Sequence, residues 1–469
     1  MNVRALSTST PAAVPEVPAR PVSRSPGETP SVPGDGFDGS NPVALRAAPA
    51  GSPLAPVQAR ALWPLSPGRS SADALQYIQA LDARLALSPA SQADRTATMG
   101  EDAHTFFRAN PGLFHADLQG VFAGSTQLLV RPAPTVLILG DVHLKNFGTL
   151  RGPDGAAVFA PNDFDQAAPG SPEADLERLA VSLTLTARAA GLNEEEVAGL
   201  VEQLGQSYSE EVARIAASGQ PARPYLTADQ AKGKIADRIE KADGETRQDL
   251  LGELLEKGDT RFLRNEELLE PSPADAERIR AAVASHELTL GDQAAGVERP
   301  LRVLDVVEKL GSGGSSRGLP RHYALVAGAG TGAAPVVLEL KELAPMALQD
   351  TGASRGDALL AAQRLRELGG AHNPLGGAVA QGDRTLFIRE LEPEKGDLKG
   401  KDLDSEKELL QAAEQTGLLL ARQHALTPDQ ALALADWIGG EGKQLGKALQ
   451  GFASEYAAQV EADYAAFTR

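Results

Sequence analysis

Three groups of side chains in this sequence have the types and spacing that phosphoryl transfer requires. Moving a phosphoryl group off a nucleotide needs a carboxylate to orient the acceptor hydroxyl, oxygen ligands for Mg²⁺ and a cation on the phosphates. Asp141-Val-His-Leu-Lys-Asn146 puts a carboxylate and an amide oxygen in one short loop, so the loop can carry both the base and a metal ligand. Asp163-Phe-Asp165 follows as a second acidic site, with Asp163 as a metal ligand and Asp165 as a further candidate. Lys341 ends Val-Val-Leu-Glu-Leu-Lys and offers the cation. Gly311-Ser-Gly-Gly-Ser-Ser-Arg-Gly318 offers backbone to phosphates at Gly311, Gly313, Gly314 and Gly318. Each group also has a plainer reading: an Asp-x4-Asn match arises by chance in long chains, a Gly/Ser stretch makes a flexible hairpin, and a strand-end lysine is often only solvated.

Context favours the chemical reading of the acids. Val136 to Leu139 is a continuous apolar run suited to a buried strand, and Asp141 stands just past its end. A turn at Gly152-Pro-Asp-Gly155 leads into a second strand, Ala156 to Pro161, which runs directly into Asn162-Asp163. The two acidic clusters are therefore expected at neighbouring strand ends. From Ala174, Leu176, Leu179, Ala180, Leu183 and Ala187 keep helical spacing up to Gly191, and Asn193 with Glu196 forms a capping pair for the next helix. After Pro300 the pattern turns to strands at 301–310, 323–326 and 336–340, then a helix at 357–368, a strand at 385–390, and helices from Ser405 to His424 and from Gly442 to about Phe467.

Composition limits the remaining possibilities. A chain of 469 residues without cysteine has neither a disulfide framework nor a thiolate metal site nor a cysteine nucleophile. A net charge of -18 argues against nucleic acid or an anionic membrane as partner, because both select basic surfaces. No apolar run reaches the roughly 20 residues of a membrane span. Residues 1–70 are rich in Pro, Ala, Ser and Gly and read as a disordered tail. The expected organisation continues with 71–226 as the catalytic-loop half of one lobe, 227–298 as a helical connection, 299–392 as a β-rich unit with the glycine stretch and Lys341, and 393–469 as C-terminal helices.

Gly140-Asp-Val-His-Leu-Lys-Asn-Phe-Gly148, Asn162-Asp-Phe-Asp-Gln166 and Asp175-Leu-Glu-Arg-Leu-Ala-Val-Ser182 resemble the motifs of a bacterial family of domains of unknown function. Phe106-Phe-Arg108, Glu339-Leu-Lys-Glu342, Gln363-Arg364, Leu420 to Ala425 and Tyr456 to Gln459 fit the same family, spread over about residues 100 to 467. Ala109, Leu343 and the form of the glycine stretch depart from it. The same blocks are similar to the aminoglycoside and choline kinase superfamily. That similarity implies Asp141 as the base for the acceptor hydroxyl, Asn146 and Asp163 on Mg²⁺, Asp175 steadying the loop, and Lys341 on the phosphates of ATP with Glu367 as its ion-pair partner. His143 reads as a brace for the loop, with a metal-ligand role as the alternative. Arg108 and Arg389 read either as anion-binding residues or as members of structural ion pairs.

In that superfamily the glycine loop and the lysine precede the catalytic loop, whereas here they follow it by about 170 to 200 residues. Joining the C-terminus to the segment before Ala103 restores the usual order. The implied fold is α+β, two-lobed and protein-kinase-like, circularly permuted, with a helical insertion. The expected function is an ATP- and Mg²⁺-dependent phosphotransferase acting on a hydroxyl of a small molecule or protein. Nucleotidyl transfer, an inactive pseudokinase or nucleotide-binding regulator, and a metallophosphoesterase built on Asp141, His143, Asp163 and Asp165 are the alternatives. The expected location is the bacterial cytoplasm, with export through the tail as the alternative; acceptor and oligomeric state stay open.

Overall fold

In the computed structural model the described residues are 69–120, 122, 127–258, 260–290, 296–311, 314–343, 373–382, 384–398 and 400–469. The tail expected over 1–70 therefore lies almost wholly outside them, as do Gly313 and the helix expected over 357–368 with Glu367. The described part is a mixed α/β structure.

Twelve helices are described. The first four are short: α1 (Ser71–Leu85), α2 (Pro89–Met99), α3 (Ala103–Ala109) and α4 (Pro111–Gln119). The body of the helical core is built by α5 (Pro172–Ala189) and α6 (Glu194–Ser218) with α10 (Glu406–His424), α11 (Pro428–Ile438) and α12 (Gly442–Phe467). Their starts are chemically marked. Asn193 and Glu196 form a reciprocal capping box, Ser405 accepts the Glu408 N–H, and Pro172 and Pro428 occupy first-turn positions where no N–H is needed. The apolar stripe Val197, Leu200, Val201, Leu204, Tyr208 and Val212 is buried against α10 and α12.

Three sheets position the site. Strand β1 (Val136–Ile138) pairs antiparallel with β4 (Ala168–Gly170). Strands β2 (Phe147–Arg151) and β3 (Ala157–Pro161) form a hairpin, extended by the two-residue β11 (Gly396–Asp397). The largest sheet is antiparallel, with strand order β5-β6-β7-β8-β10-β9. Its members are β5 (Leu268–Leu269), β6 (Val303–Lys309), β7 (Arg321–Val326), β8 (Val336–Glu342), β9 (Gly377–Gln381) and β10 (Arg384–Glu390).

The segment 227–298 departs from the expected helical connection. It contains α7 (Lys234–Asp243), α8 (Arg247–Leu254) and α9 (Pro273–Glu287), but it also contributes β5 to the large sheet, and Ile279, Ala282 and Val283 of α9 fill the core on one face of that sheet. Two residues of strand carry no readable period, and an amphipathic helix does not announce its partner. The large sheet is thus inserted in sequence between the two halves of the helical body. The chain crosses to it between Asp243 and Arg247 and returns after Glu390. Glu390 pins both crossings, bonding Arg247 at 2.6 Å and Arg151 of β2 at 3.4 Å. Among the described residues no helix is long and apolar enough to cross a membrane.

Candidate active site

Asp141 is delivered by a loop whose backbone is held on both sides. Gly140 takes φ +77°, and a Cβ there would lie 2.2 Å from the Gln166 carbonyl oxygen, so both conformation and space require glycine. Asp175, in the first turn of α5, accepts the N–H groups of Leu139 at 2.6 Å and Gly140 at 2.8 Å. His424 braces Asp175 at 3.1 Å and receives the Tyr208 hydroxyl at 2.9 Å on its other ring nitrogen. His115 donates from Nε2 to the Gly140 carbonyl at 2.6 Å. The side chain of Asn146 donates to the Asp141 carbonyl at 2.6 Å, and the residue lines the cleft.

The Asp141 carboxylate is itself paired. Arg178 of α5, fully buried, donates from Nε to Asp141 Oδ1 at 2.7 Å and holds it as an ion pair, with Nη2 2.6 Å from the same oxygen and donating to the Phe107 carbonyl at 3.3 Å. Its guanidinium lies 4.2 Å above the Phe107 ring and 5.1 Å from that of Phe114. One oxygen of Asp141 is thus occupied from behind, and the side chain still lines the cleft.

Asp163 and Asp165 stand at the end of β3, where the Asn162 N–H bonds the Asn146 carbonyl at 2.9 Å and ties the two acidic segments together. Lys341 of β8, 178 residues further along the chain, places Nζ 3.4 Å from Asp163 Oδ2 and closes an ion pair with Asp165. Burial and the Asp163 charge push Asp165 up to about 6 despite Lys341. Burial opposes ionisation of Asp163 as well, yet Lys341, Arg389 and the Asp165 N–H hold it below the usual carboxylate range. Burial likewise works against the Lys341 ammonium, but the two aspartates raise it above its ordinary value.

Around Lys341 the sheet supplies a second charged group. Glu339, buried on the same strand, accepts Arg321 and Arg389 at 2.7 Å each and lies 3.7 Å from Lys395. Burial alone would raise its carboxyl; Lys395, Arg389 and Arg321 hold it well below the ordinary range. Arg389 is therefore a member of a structural ion pair. The glycine-rich stretch links β6 and β7 and is strapped to the helices. Arg95 of α2 donates to the Ser315 carbonyl at 3.0 Å and the Ala109 carbonyl at 2.8 Å, while its Nε holds Asp82 at 2.9 Å. Arg317 pairs with Asp94 at 2.8 Å. A Cβ on Gly314 would sit 3.5 Å from Arg108 Nη2.

A family model described as an uncharacterized protein conserved in bacteria (DUF2252) matches residues 87–469. The chain belongs to this family. Comparisons with the curated proteins and with the solved structures give no match.

In this DUF2252 chain Asp141, Asn146, Asp163, Asp165, Lys341 and Gly314 line one cleft. Gly311 and Gly318 do not. Gly311 opens onto empty space at the base of the hairpin, and Gly318 packs against Leu87 and Ser91 of the α1–α2 segment. His143 is buried, but its Nδ1 has no partner among the described residues, so it braces the loop only by packing; the hydrogen-bonding brace is His115. Burial, with Arg108 and Arg178 nearby, holds the His143 imidazole well below its ordinary range and thus neutral. Arg178 and Glu339 were visible inside the family motifs, without any sign of what they bind. Arg95 had no signal at all, because its partners lie in three separate segments.

Asn146, Asp163 and Asp165 are oxygen-bearing side chains that line one cleft and could hold Mg²⁺, and the two crowded carboxylates share a single lysine.

Proposed function

We propose that the chain is an ATP- and Mg²⁺-dependent, kinase-like phosphotransferase that acts on the hydroxyl of an acceptor. The observation that carries this reading is the placement of Lys341 on Asp163 and Asp165, in a cleft that also holds Asp141, Asn146 and Gly314. Two segments 178 residues apart supply complementary halves of one chemistry. The order within the large sheet also supports it. Among β6, β7 and β8 the glycine-rich stretch joins the first two strands and the lysine lies on the third, which is the arrangement of the protein-kinase set. With the catalytic loop earlier in the chain, the reading is of a circularly permuted version of that fold.

The roles follow from position. Asp141 orients the acceptor hydroxyl and takes its proton on the oxygen that Arg178 leaves free. Lys341 is drawn from the aspartates toward the nucleotide phosphates, and Gly314 lets backbone approach them. Asn146 and Asp163, with Asp165, would hold Mg²⁺, which supplies charge neutralisation on the phosphate oxygens when bound. Arg178 fixes the rotamer of Asp141 from behind.

A regulatory, nucleotide-binding reading without turnover draws on one contact, the hydrogen-bonded ion pair of Arg178 with Asp141 Oδ1.

The test is a thermal shift of wild type, Asp163→Ala and Lys341→Ala with ATP, with and without Mg²⁺. A Mg²⁺-dependent rise in wild type, absent from both variants, is the expected result. No nucleotide effect in wild type would sink the reading. Loss of γ-phosphate from ATP in the presence of acceptor pools separates transfer from binding alone.

A further inference from the structure

The cleft's cations are mostly spoken for: Lys341 by Asp163 and Asp165, Arg321 and Arg389 by Glu339. Arg108 is different. It sits in the last turn of α3 and lines the cleft with Asp141 and Asn146. Its Nε is buried without a partner, and among the described residues no hydrogen bond or ion pair is made by its guanidinium. Burial works to lower it, opposed by the fields of Asp141, Asp397, Asp102 and Asp163, none of which closes on it. A partly buried guanidinium left without an anion is costly, and its forked donors match the oxygens of a phosphate or carboxylate.

Its position selects between the two. Arg108 Nη2 lies 3.5 Å from where a Gly314 side chain would begin, beside the glycine-rich stretch, and Arg108 lines the same cleft as Asp141, whose field reaches it. A group there is beside the loop proposed to approach the nucleotide phosphates, in the cleft that also holds the acid proposed to orient the acceptor. Building on the phosphotransferase reading above, we propose that Arg108 binds the terminal phosphate of the nucleotide, the group in transit. In the step, the acceptor oxygen forms its bond to the γ-phosphorus while the bond from that phosphorus to the β,γ-bridging oxygen breaks. The electron pair leaves with ADP, and the acceptor proton passes to Asp141. Arg108 neutralises the equatorial oxygens from within the chain, where some phosphotransfer enzymes recruit an arginine from a partner.

The experiment is calorimetric titration of the full chain with Mg²⁺-ADP and with the Mg²⁺ complex of a β,γ-imido ATP analogue, using wild type, Arg108→Gln and Arg108→Lys. Loss of a charge-assisted fork lowers analogue affinity about tenfold or more in Arg108→Gln, less in Arg108→Lys, and leaves ADP within about twofold. Equal weakening of both nucleotides would overturn the proposal, since Arg108 would then act as a general field. Unchanged analogue binding would also overturn it and assign the anion to the acceptor. Wild type that binds neither nucleotide would instead remove the phosphotransferase reading on which it rests. The unfolding midpoint of ligand-free Arg108→Gln, expected at or above wild type, checks that the variant is folded; a large fall would show a structural ion pair instead.

Discussion

The pair between Arg178 and Asp141 gives the sharpest quantitative test of how this site is held. The side chain of Arg178 is 0% exposed and that of Asp141 10%, with a 2.7 Å hydrogen bond from Nε and a 2.6 Å ion-pair contact from Nη2 between them. Removing one member of such a pair leaves a buried charge uncompensated, which costs about 3–5 kcal/mol. Arg178→Met keeps much of the side chain's volume against Phe107 and Phe114, so the loss is chiefly electrostatic, with roughly 1 kcal/mol of cation–π contact added. Asp141→Asn strands the guanidinium in the same way. In Arg178→Met with Asp141→Asn neither charge remains, and the two single costs exceed the double cost by about 2–4 kcal/mol. Urea unfolding followed by far-ultraviolet circular dichroism measures all four proteins, and the fluorescence of Trp437, buried on α11, offers a second signal. Additivity within about 0.5 kcal/mol would refute the reasoning, because it would mean the two side chains do not sense each other.

Two further outcomes follow from the same physics. Gly140→Ala meets the Gln166 carbonyl at 2.2 Å in a left-handed conformation, so it should destabilise by more than about 2 kcal/mol and abolish the nucleotide response; a variant within about 1 kcal/mol of wild type in urea would contradict the steric argument. Glu177, 0% exposed, has both carboxyl oxygens without partners among the described residues, and burial, then Glu173, raises its carboxyl well above the ordinary range. A raised folded-state pKa contributes stability below the unfolded value that is lost as pH rises toward the folded one, so Glu177→Met should gain about 1–3 kcal/mol over wild type near neutral pH and less near pH 4.5; a gap that stays constant with pH would contradict this.

What could be read from the sequence was what local chemistry dictates. The apolar run before Gly140 is buried at Val136, Ile138 and Leu139, the capping pair at Asn193 opens its helix, and the last helix spans Gly442–Phe467 as its stripe implied. Lys341 lies one residue inside β8 instead of at its end, a shift too small to move its side chain from the cleft. What stayed hidden depended on partners far away. The spacing of Arg108 and Arg389 is equally silent about pairing, yet Glu339 takes one of them and the other meets no carboxylate among the described residues. β5, β9 and β11 are short, or poor in the alternation that marks a strand, and exist because neighbours offer them hydrogen bonds.

The double crossing at Glu390 also has a mechanical meaning. A sheet joined to its support by one covalent thread can swing, slide and twist. Here two threads pass side by side and one carboxylate clips them to Arg247 and Arg151, while β11 stitches the returning thread onto the hairpin that ends in Asp163. Two attachments resist twisting of the sheet against its support more than one would, and the bonds from Arg95 to Ser315 and from Arg317 to Asp94 add to that restraint. The alignment of Lys341 with Asp163 and Asp165 then rests on these distant joints as well as on its own ion pairs.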